Sequence, residues 1–422
     1  MAASAPPRIV VLGAGFAGLR AVRRLSRAGQ RVRWLDARNY HTFLPLLYQV
    51  ATAGLDPQAI VYPTRSFLRR FPGVDFQLAR IVNGAPAIRT LVTADGERIV
   101  YQQLLVATGG AAADFGIPGV RTNAFNLYDV EDARAVRNHA LELLERAATM
   151  PESPERRALL TFVIVGGGPT GVETAGALAE FRRHVVPSDY PSIPPAQLRI
   201  VVLEARDAVL GTFAATLQRR AQRDLEQFGV EVRLGTSVER VTPDGVDLAG
   251  GERLAAGTVV WAAGIRAADV AEHLGLPTGR AGRIRVAPTL EVLGHPGVFA
   301  AGDVALVDGA ERMPQVAQVA MQQGAHAAGN MLNAIAGRPL EHFRYSDKGA
   351  MATIGRSRAI AEIGRLKLTG ALAWWAWLLL HLVMLIGFRN RLVVLVDWAW
   401  NYLTYDRGLR AIIGRDRPIP PA

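Results

Sequence analysis

Residues 9–18 read IVVLGAGFAG, and residues 162–171 read FVIVGGGPTG. In each, an apolar run suited to a buried strand (Ile9–Leu12, Phe162–Val165) breaks into a glycine turn. The turns are Gly13-Ala14-Gly15-Phe16-Ala17-Gly18 and Gly166-Gly167-Gly168-Pro169-Thr170-Gly171, and each opens an Ala-rich segment with helical spacing. Only glycine lets the backbone turn that tightly and come against a pyrophosphate, whose charge then meets the positive end of a helix. One GxGxxG is a weak signal. Two in matching context, 153 residues apart, are a strong one.

The match extends beyond the glycines. The next apolar strand ends in an acid in both halves: Asp36, followed by Ala37, and Glu204. A carboxylate there accepts hydrogen bonds from ribose hydroxyls and repels a 2′-phosphate. Each half later runs an apolar strand into a small-residue turn, Ala107-Thr108-Gly109 and Ala262-Ala263-Gly264. From Gly13 to Gly109 is 96 residues, and from Gly166 to Gly264 is 98. Three features at matching intervals predict an internal duplication, an α/β chain with two Rossmann-like dinucleotide-binding units.

Composition narrows the chemistry. A chain of 422 residues exceeds one ordinary core, so two or three domains are expected. It has no cysteine, which removes disulfide exchange, thiolate metal sites and Cys-ligated iron–sulfur clusters. The eight histidines are scattered, none at an i, i+4 metal spacing, so no metal site is expected. Redox work would therefore sit on an organic cofactor. The net charge of +11 suits anionic lipid or an anionic cofactor, with arginine-rich composition bias as the bland alternative. No nucleic-acid module is legible, and none is expected as partner. Met1–Pro7 has neither a basic start nor an apolar stretch, so the body of the protein is expected to stay in the cytoplasm.

A further apolar strand delivers a carboxylate in Val298-Phe299-Ala300-Ala301-Gly302-Asp303. This resembles flavoproteins with two such folds, where that carboxylate bonds the ribityl chain of FAD. The resemblance assigns the first unit to non-covalently held FAD and the second, inserted unit to the nicotinamide. Glu204 then argues for NADH over NADPH, with Arg206 nearby as a softening influence.

After Asp36 the chain continues Arg38-Asn39-Tyr40-His41-Thr42-Phe43-Leu44-Pro45-Leu46-Leu47-Tyr48-Gln49-Val50-Ala51. This stretch resembles the type II NADH:quinone oxidoreductases, single-subunit NADH dehydrogenases that do not pump protons. So do Gly166–Glu173, Ala317-Gln318-Val319-Ala320-Met321-Gln322, Asp347–Gly355 and Gly387–Arg391. The resemblance implies that Gln318 and Gln322 line a quinone pocket, where neutral amides bond a quinone carbonyl or quinol hydroxyl. A polar helix face is the plain alternative. It implies that Glu173 links nicotinamide release to quinone protonation; otherwise Glu173 is an acid favoured in the first turn of a helix. Thr42, Pro45, Leu46 and Leu47 would pack near the flavin with Phe16, Val319 and Ala320. His41 reads as a solvated or locally bonded histidine.

Ala371–Phe388, ALAWWAWLLLHLVMLIGF, is eighteen residues without formal charge. As one helix it reaches roughly 27 Å, against roughly 30 Å of hydrocarbon. Its flanks are basic on both sides, and the next segment is amphipathic, with Asp397, Asn401 and Thr404 on one face and Leu395, Trp398, Ala399 and Tyr402 on others. Trp374, Trp375, Trp377, Trp398 and Trp400 suit the headgroup boundary. We expect two amphipathic helices lying on an anionic lipid surface at the cytoplasmic face of the cell membrane, with a spanning helix or a buried homodimer interface as alternatives. The expected domains are 6–113 (FAD, first part), 114–279 (NADH), 280–345 (FAD, second part) and 346–422 (anchor). The expected acceptor is a membrane quinone, menaquinone or ubiquinone. The rival readings are a soluble-type FAD-dependent NADH oxidase or ferredoxin reductase, and a non-catalytic FAD/NADH redox sensor.

Overall fold

The computed structural model describes residues 9–311, 313–404 and 409–414. They form two compact units. The first takes the chain up to His41, then Tyr62–Ala113 and Ile265–Asp347. The second takes Thr42–Val61, Asp114–Gly264 and the chain from Lys348.

The first unit is built on a five-stranded parallel sheet in the order Val298–Ala300, Gln103–Val106, Ile9–Leu12, Val32–Asp36, Val74–Leu78. Ile9–Leu12 is wholly buried at its centre, which is why the strand is apolar at every position and not at alternate ones. The helices Phe16–Arg27 and Ala317–Ile335 pack closely on each other, with Gly324 against the carbonyl of Ala17. A three-stranded antiparallel meander, Ile81–Ala85, Thr90–Thr93 and Arg98–Val100, completes the unit.

The second unit repeats the plan. Its parallel sheet runs Phe125–Asn126, Thr258–Trp261, Thr161–Val165, Arg199–Leu203, Glu231–Arg233, again with the strand before the glycine turn at the centre. It too carries a three-stranded meander: Val238–Thr242, Gly245–Leu248 and Arg253–Ala255. The chain returns to the first unit at Ile265, earlier than the 280 expected, because Ile265–Ala267 pairs antiparallel with Gly110–Ala112.

The C-terminal part of the second unit is an antiparallel sheet, Ala350–Gly355, Arg358–Ile363 and Leu366–Thr369, with the helix Gly370–Met384 laid on it. Ala359, Ala361 and Ala373 meet at the contact, small enough for the helix to approach closely. The helix stops at Met384 because Leu385 is extended (φ −62°, ψ 136°), and a second helix runs Phe388–Thr404. The eighteen-residue apolar run is therefore not one helix. Its fifteen helical residues reach about 22 Å, and no helix among the described residues is long and apolar enough to cross a membrane. Two further expectations are corrected. Trp377 is 1% exposed and belongs to the core, not to a boundary. Trp398 shares the inward side of its helix with Asn401: its indole donates to Gln49 Oε1 (2.8 Å), and the Asn401 amide donates to the Gly54 carbonyl (3.2 Å).

Candidate functional site

In the first unit the turn after the central strand is closed by two of its glycines and open at the third. Gly13 has φ +104°, and a Cβ there would meet the Ala107 carbonyl; a Cβ at Gly18 would meet the carbonyl of Gly13 itself. At Gly15 a Cβ would find nothing within 4 Å. The open face at the N-terminus of the helix Phe16–Arg27 is what a pyrophosphate needs. Asp36 holds this turn: Oδ2 accepts from the Ala14 N–H (2.5 Å) and Oδ1 from the Arg38 N–H (2.7 Å). Burial raises its carboxyl, and these two donors oppose the rise.

His41 is buried and bonds the Ala14 carbonyl through Nδ1 (2.8 Å), with its ring edge-on to Phe16 at 5.0 Å. It is the locally bonded histidine of the two expected readings, and burial lowers it to about 4, so it is neutral at pH 7. Around the same strand ends stands Gly302, where a Cβ would lie 3.4 Å from the side chains of Ala17 and Ala320. The Gly302 N–H donates to Gln323 Oε1 (2.7 Å), and the Asp303 carbonyl accepts from the Gln315 amide (3.1 Å). Thr108 Oγ1 is shielded from solvent with no hydrogen-bond partner among the described residues, next to Gly109. Ala37 is exposed and Val319 buried. The open glycine, the carboxylate at the ribose position and the orphaned hydroxyl at the strand ends fit FAD.

Gln318 and Gln322 lie one turn apart on the helix Ala317–Ile335. Gln322 already bonds Ser346 with both halves of its amide, accepting from its N–H (3.0 Å) and donating to its carbonyl (2.9 Å).

The second unit repeats the cradle with different parts. Gly166 has φ +110° and lies against Ala262 and Ala263; Gly171 packs on the carbonyl of Gly166; Gly168 is open, with Pro169 and Thr170 exposed beside it. Glu204 Oε2 accepts from the Gly167 N–H (2.7 Å) and Oε1 from the Arg206 N–H (2.9 Å). Arg206 thus meets the acid through its backbone. The Gly167 carbonyl, counterpart of Ala14, accepts from the Leu210 N–H (2.7 Å). The Phe115 ring lies over Gly264.

Also in the second unit, Glu173 lies in the helix Pro169–His184, which packs on the C-terminal strand Ala350–Gly355. One carboxyl oxygen accepts from the Thr353 N–H (3.3 Å). Glu173 keeps some open surface yet lies deep in protein, and this desolvation raises its carboxyl to about 8. Leu46 and Leu47 are buried in this unit, and Thr42 and Pro45 are partly exposed. Sequence reasoning missed Gln323 as the partner of Gly302 and Thr353 as the partner of Glu173. Gln323 follows the AQxAxQ pattern directly and was readable there; Thr353 depends on packing between distant segments.

Two parallel-sheet cradles of this kind on one chain define a two-dinucleotide-binding oxidoreductase. A family model described as pyridine nucleotide-disulphide oxidoreductase matches residues 7–324, and the NDH2 C-terminal domain matches 348–405. The type II NADH:quinone oxidoreductase Ndh of Mycobacterium tuberculosis is 37% identical over 421 residues, covering 96% of this chain and 90% of that protein. External NADH-ubiquinone oxidoreductase 2 of Saccharomyces cerevisiae is 29% identical over 460 residues, covering 97% and 82%. The solved structure of NDH2 from Plasmodium falciparum in complex with NADH shares the fold, with TM-score 0.86 at 19% identity, covering 97% of this chain and 100% of that one. The chain belongs to the type II NADH:quinone oxidoreductases, flavoenzymes that use FAD and NADH. The resemblance, the α/β class, the oxidoreductase function and the two cofactors read from the sequence are borne out.

Proposed function

We propose that the first cradle holds FAD without a covalent bond, that the second holds NADH, and that the chain reduces a membrane quinone without pumping protons. The supporting observation is the matched pair of cradles, each with two closed glycines, one open glycine and a carboxylate bridging two backbone N–H groups. In this reading Gly13, Gly15, Gly18, Asp36, Thr108 and Gly302–Asp303 hold FAD. Gly166–Gly171, Glu204, Ala263 and Gly264 hold NADH. Bound FAD supplies the two-electron relay between nicotinamide and quinone.

The overall balance is NADH + H⁺ + quinone → NAD⁺ + quinol, so one proton must come from outside the substrates. Glu173 is suited to hold it: a carboxyl raised to about 8 keeps its proton near neutral pH and can release it. Gln318 is the amide proposed to bond the quinone carbonyl. Gln322 joins it only by giving up Ser346.

The C-terminal helices present Leu372, Trp375, Leu379, Val383, Phe388, Leu392, Leu395, Val396, Trp400 and Leu403 to solvent. We read this face as a peripheral anchor on anionic lipid at the cytoplasmic face, the protein acting as a homodimer. The test uses purified protein with NADH and then a soluble quinone. Gln318→Leu is expected to leave reduction of the flavin by NADH intact and to slow quinone reduction more than tenfold. Equal loss of both half-reactions would remove Gln318 from the quinone site.

A further inference from the structure

The loop Asp114-Phe115-Gly116-Ile117-Pro118-Gly119, in the second unit, holds an aromatic ring out of the core. Phe115 is 66% exposed. Among the described residues, the other exposed Phe, Tyr and Trp side chains are Trp375, Phe388, Trp400 and Tyr402, all in the two C-terminal helices. The Phe115 backbone has φ +51°, a region that bulky residues rarely occupy. The Ile117 N–H closes a turn on the Asp114 carbonyl (2.9 Å), with Phe115 and Gly116 (φ +71°) at its centre. Turns with positive φ at both central residues ordinarily carry Gly, Asn or Asp there. The loop is nonetheless firmly anchored. Asp114 Oδ1 accepts from the Gly116 N–H (3.2 Å), and the same carboxylate pairs with Arg121. Further on, the Pro118 carbonyl accepts from the Val241 N–H (2.9 Å), and the Asn123 amide donates to the Val241 carbonyl (2.9 Å). The ring leans on Gly264: a Cβ there would lie 2.7 Å from Phe115 Cζ, so only glycine leaves it room. Gly264 follows Ala262 and Ala263, against which Gly166 packs. The ring therefore stands beside the wall of the second cradle.

The sheet decides which half of a dinucleotide lies there. Thr161–Val165 is central, with Arg199–Leu203 on one flank and Thr258–Trp261 on the other. A pyrophosphate sits at the glycine turn after the central strand, and the acid after the neighbouring strand takes the adenosine ribose. Glu204 ends the first flank, and Gly264 follows the second. The half of the dinucleotide opposite the adenosine is the nicotinamide, and it runs toward Gly264. We propose that Phe115 is a nicotinamide-binding residue, its exposed ring stacking on the nicotinamide of NADH and NAD⁺. This rests on the reading above that the second cradle holds NADH. Stacking removes two flat apolar faces from water. Oxidised nicotinamide is a cation and is also attracted to the ring face. A side chain kept in a disfavoured conformation and out of the core does not serve the fold, and such positions cluster at ligand sites.

The experiment uses the full-length flavin-loaded enzyme as wild type, Phe115→Ala, Phe115→Asn, Phe115→Tyr and Glu204→Ala. Titration calorimetry measures binding of NAD⁺, which leaves the oxidised flavin unreduced, and of ADP-ribose, which lacks the nicotinamide. The KM for NADH and the thermal midpoint are read on the same proteins. Phe115→Ala and Phe115→Asn weaken NAD⁺ about fivefold and raise the KM for NADH in step, while ADP-ribose binds as to wild type. Phe115→Tyr keeps the ring and keeps NAD⁺ affinity. Asparagine tolerates positive φ, so Phe115→Asn removes the ring without lowering the thermal midpoint. Glu204→Ala weakens NAD⁺ and ADP-ribose alike. NAD⁺ affinity unchanged in Phe115→Ala and Phe115→Asn, or ADP-ribose weakened as much as NAD⁺, overturns the assignment of Phe115. ADP-ribose held equally by wild type and Glu204→Ala overturns instead the reading of the second cradle on which it rests.

Discussion

The two glycine cradles reach the same geometry by different means, and the difference shows which parts of a nucleotide site are dictated by backbone physics. Both need a first glycine at positive φ against a carbonyl, a third glycine under the start of the helix, and an open one between. Both use a strand-end carboxylate to hold two backbone N–H groups. They part at the carbonyl of the residue between the first two glycines. In the first cradle a buried imidazole, His41, satisfies it. In the second a backbone N–H, from Leu210 with φ +53°, does so. The space left in the second is tighter: a Cβ at Gly167 would come within 3.0 Å of Glu204 Oε2 and Val209 Cγ1, whereas the first cradle carries alanine at this place. The first cradle therefore has a titratable group built into its wall at this carbonyl and the second has a backbone donor.

The largest expected effect comes from the closed glycines. Gly13→Ala and Gly166→Ala combine positive-φ strain with a clash against backbone, and each is expected to cost about 3 kcal/mol or more, read as a fall in thermal midpoint. Gly15→Ala and Gly168→Ala meet open space, so the midpoint stays within a few degrees. Instead the first loses yellow absorbance, and the second raises the KM for NADH more than tenfold. Retention of full flavin by Gly15→Ala would break the equivalence of the two open faces.

The carboxylates come next. Glu204→Ala is expected to raise the KM for NADH about 10- to 100-fold while leaving flavin content unchanged, the loss of charge-assisted bonds of about 1.5–3 kcal/mol. Asp36→Ala is expected to release flavin. An Asp36→Ala protein with normal flavin and weakened NADH binding would exchange the roles of the two units.

Two pH dependences sharpen the contrast further. Glu173 is raised in the folded state from 4.5 to about 8, so the folded form binds the proton more tightly. Stability contributed by the protonated form is present below pH 4.5 and is lost as pH rises toward 8. Glu173→Gln is expected to flatten this slope and to gain up to about 3 kcal/mol at pH 8, measured by denaturant unfolding. His41 is lowered from 6.5 to about 4 and works in the opposite sense. Its contribution is present above pH 6.5 and is lost as pH falls toward 4. His41→Phe should lose about 1 kcal/mol at pH 7 and show a shallower fall between pH 6.5 and 4. An unchanged acid slope in that variant would deny His41 its place in the first cradle.

Much of this was legible in the chain. A glycine at a tight turn, an acid at a strand end and an all-apolar strand carry their reasons locally, so Gly13, Asp36 and Ile9–Leu12 could be placed without a structure, and Gly166, Glu204 and Phe162–Val165 likewise. The paired meanders at Ile81–Val100 and Val238–Ala255 were not read, because short antiparallel strands with mixed polarity leave little periodic signal. The tail misled in a specific way. Composition alone cannot distinguish Trp375, 56% exposed, from Trp377, 1% exposed, since both are indoles in one apolar run.

By itself the sequence determined that two glycine turns of this kind would form and which carboxylate would hold each, since those features obey backbone sterics and charge that act over a few residues. Only the tertiary structure decided which indole is core and which is surface, that Gln322 is engaged by Ser346, and that a carboxyl in the Pro169–His184 helix accepts from the N–H of Thr353, 180 residues further on. These depend on which surfaces pack together, and desolvation, which sets the proton affinity of Glu173, exists only once they have done so.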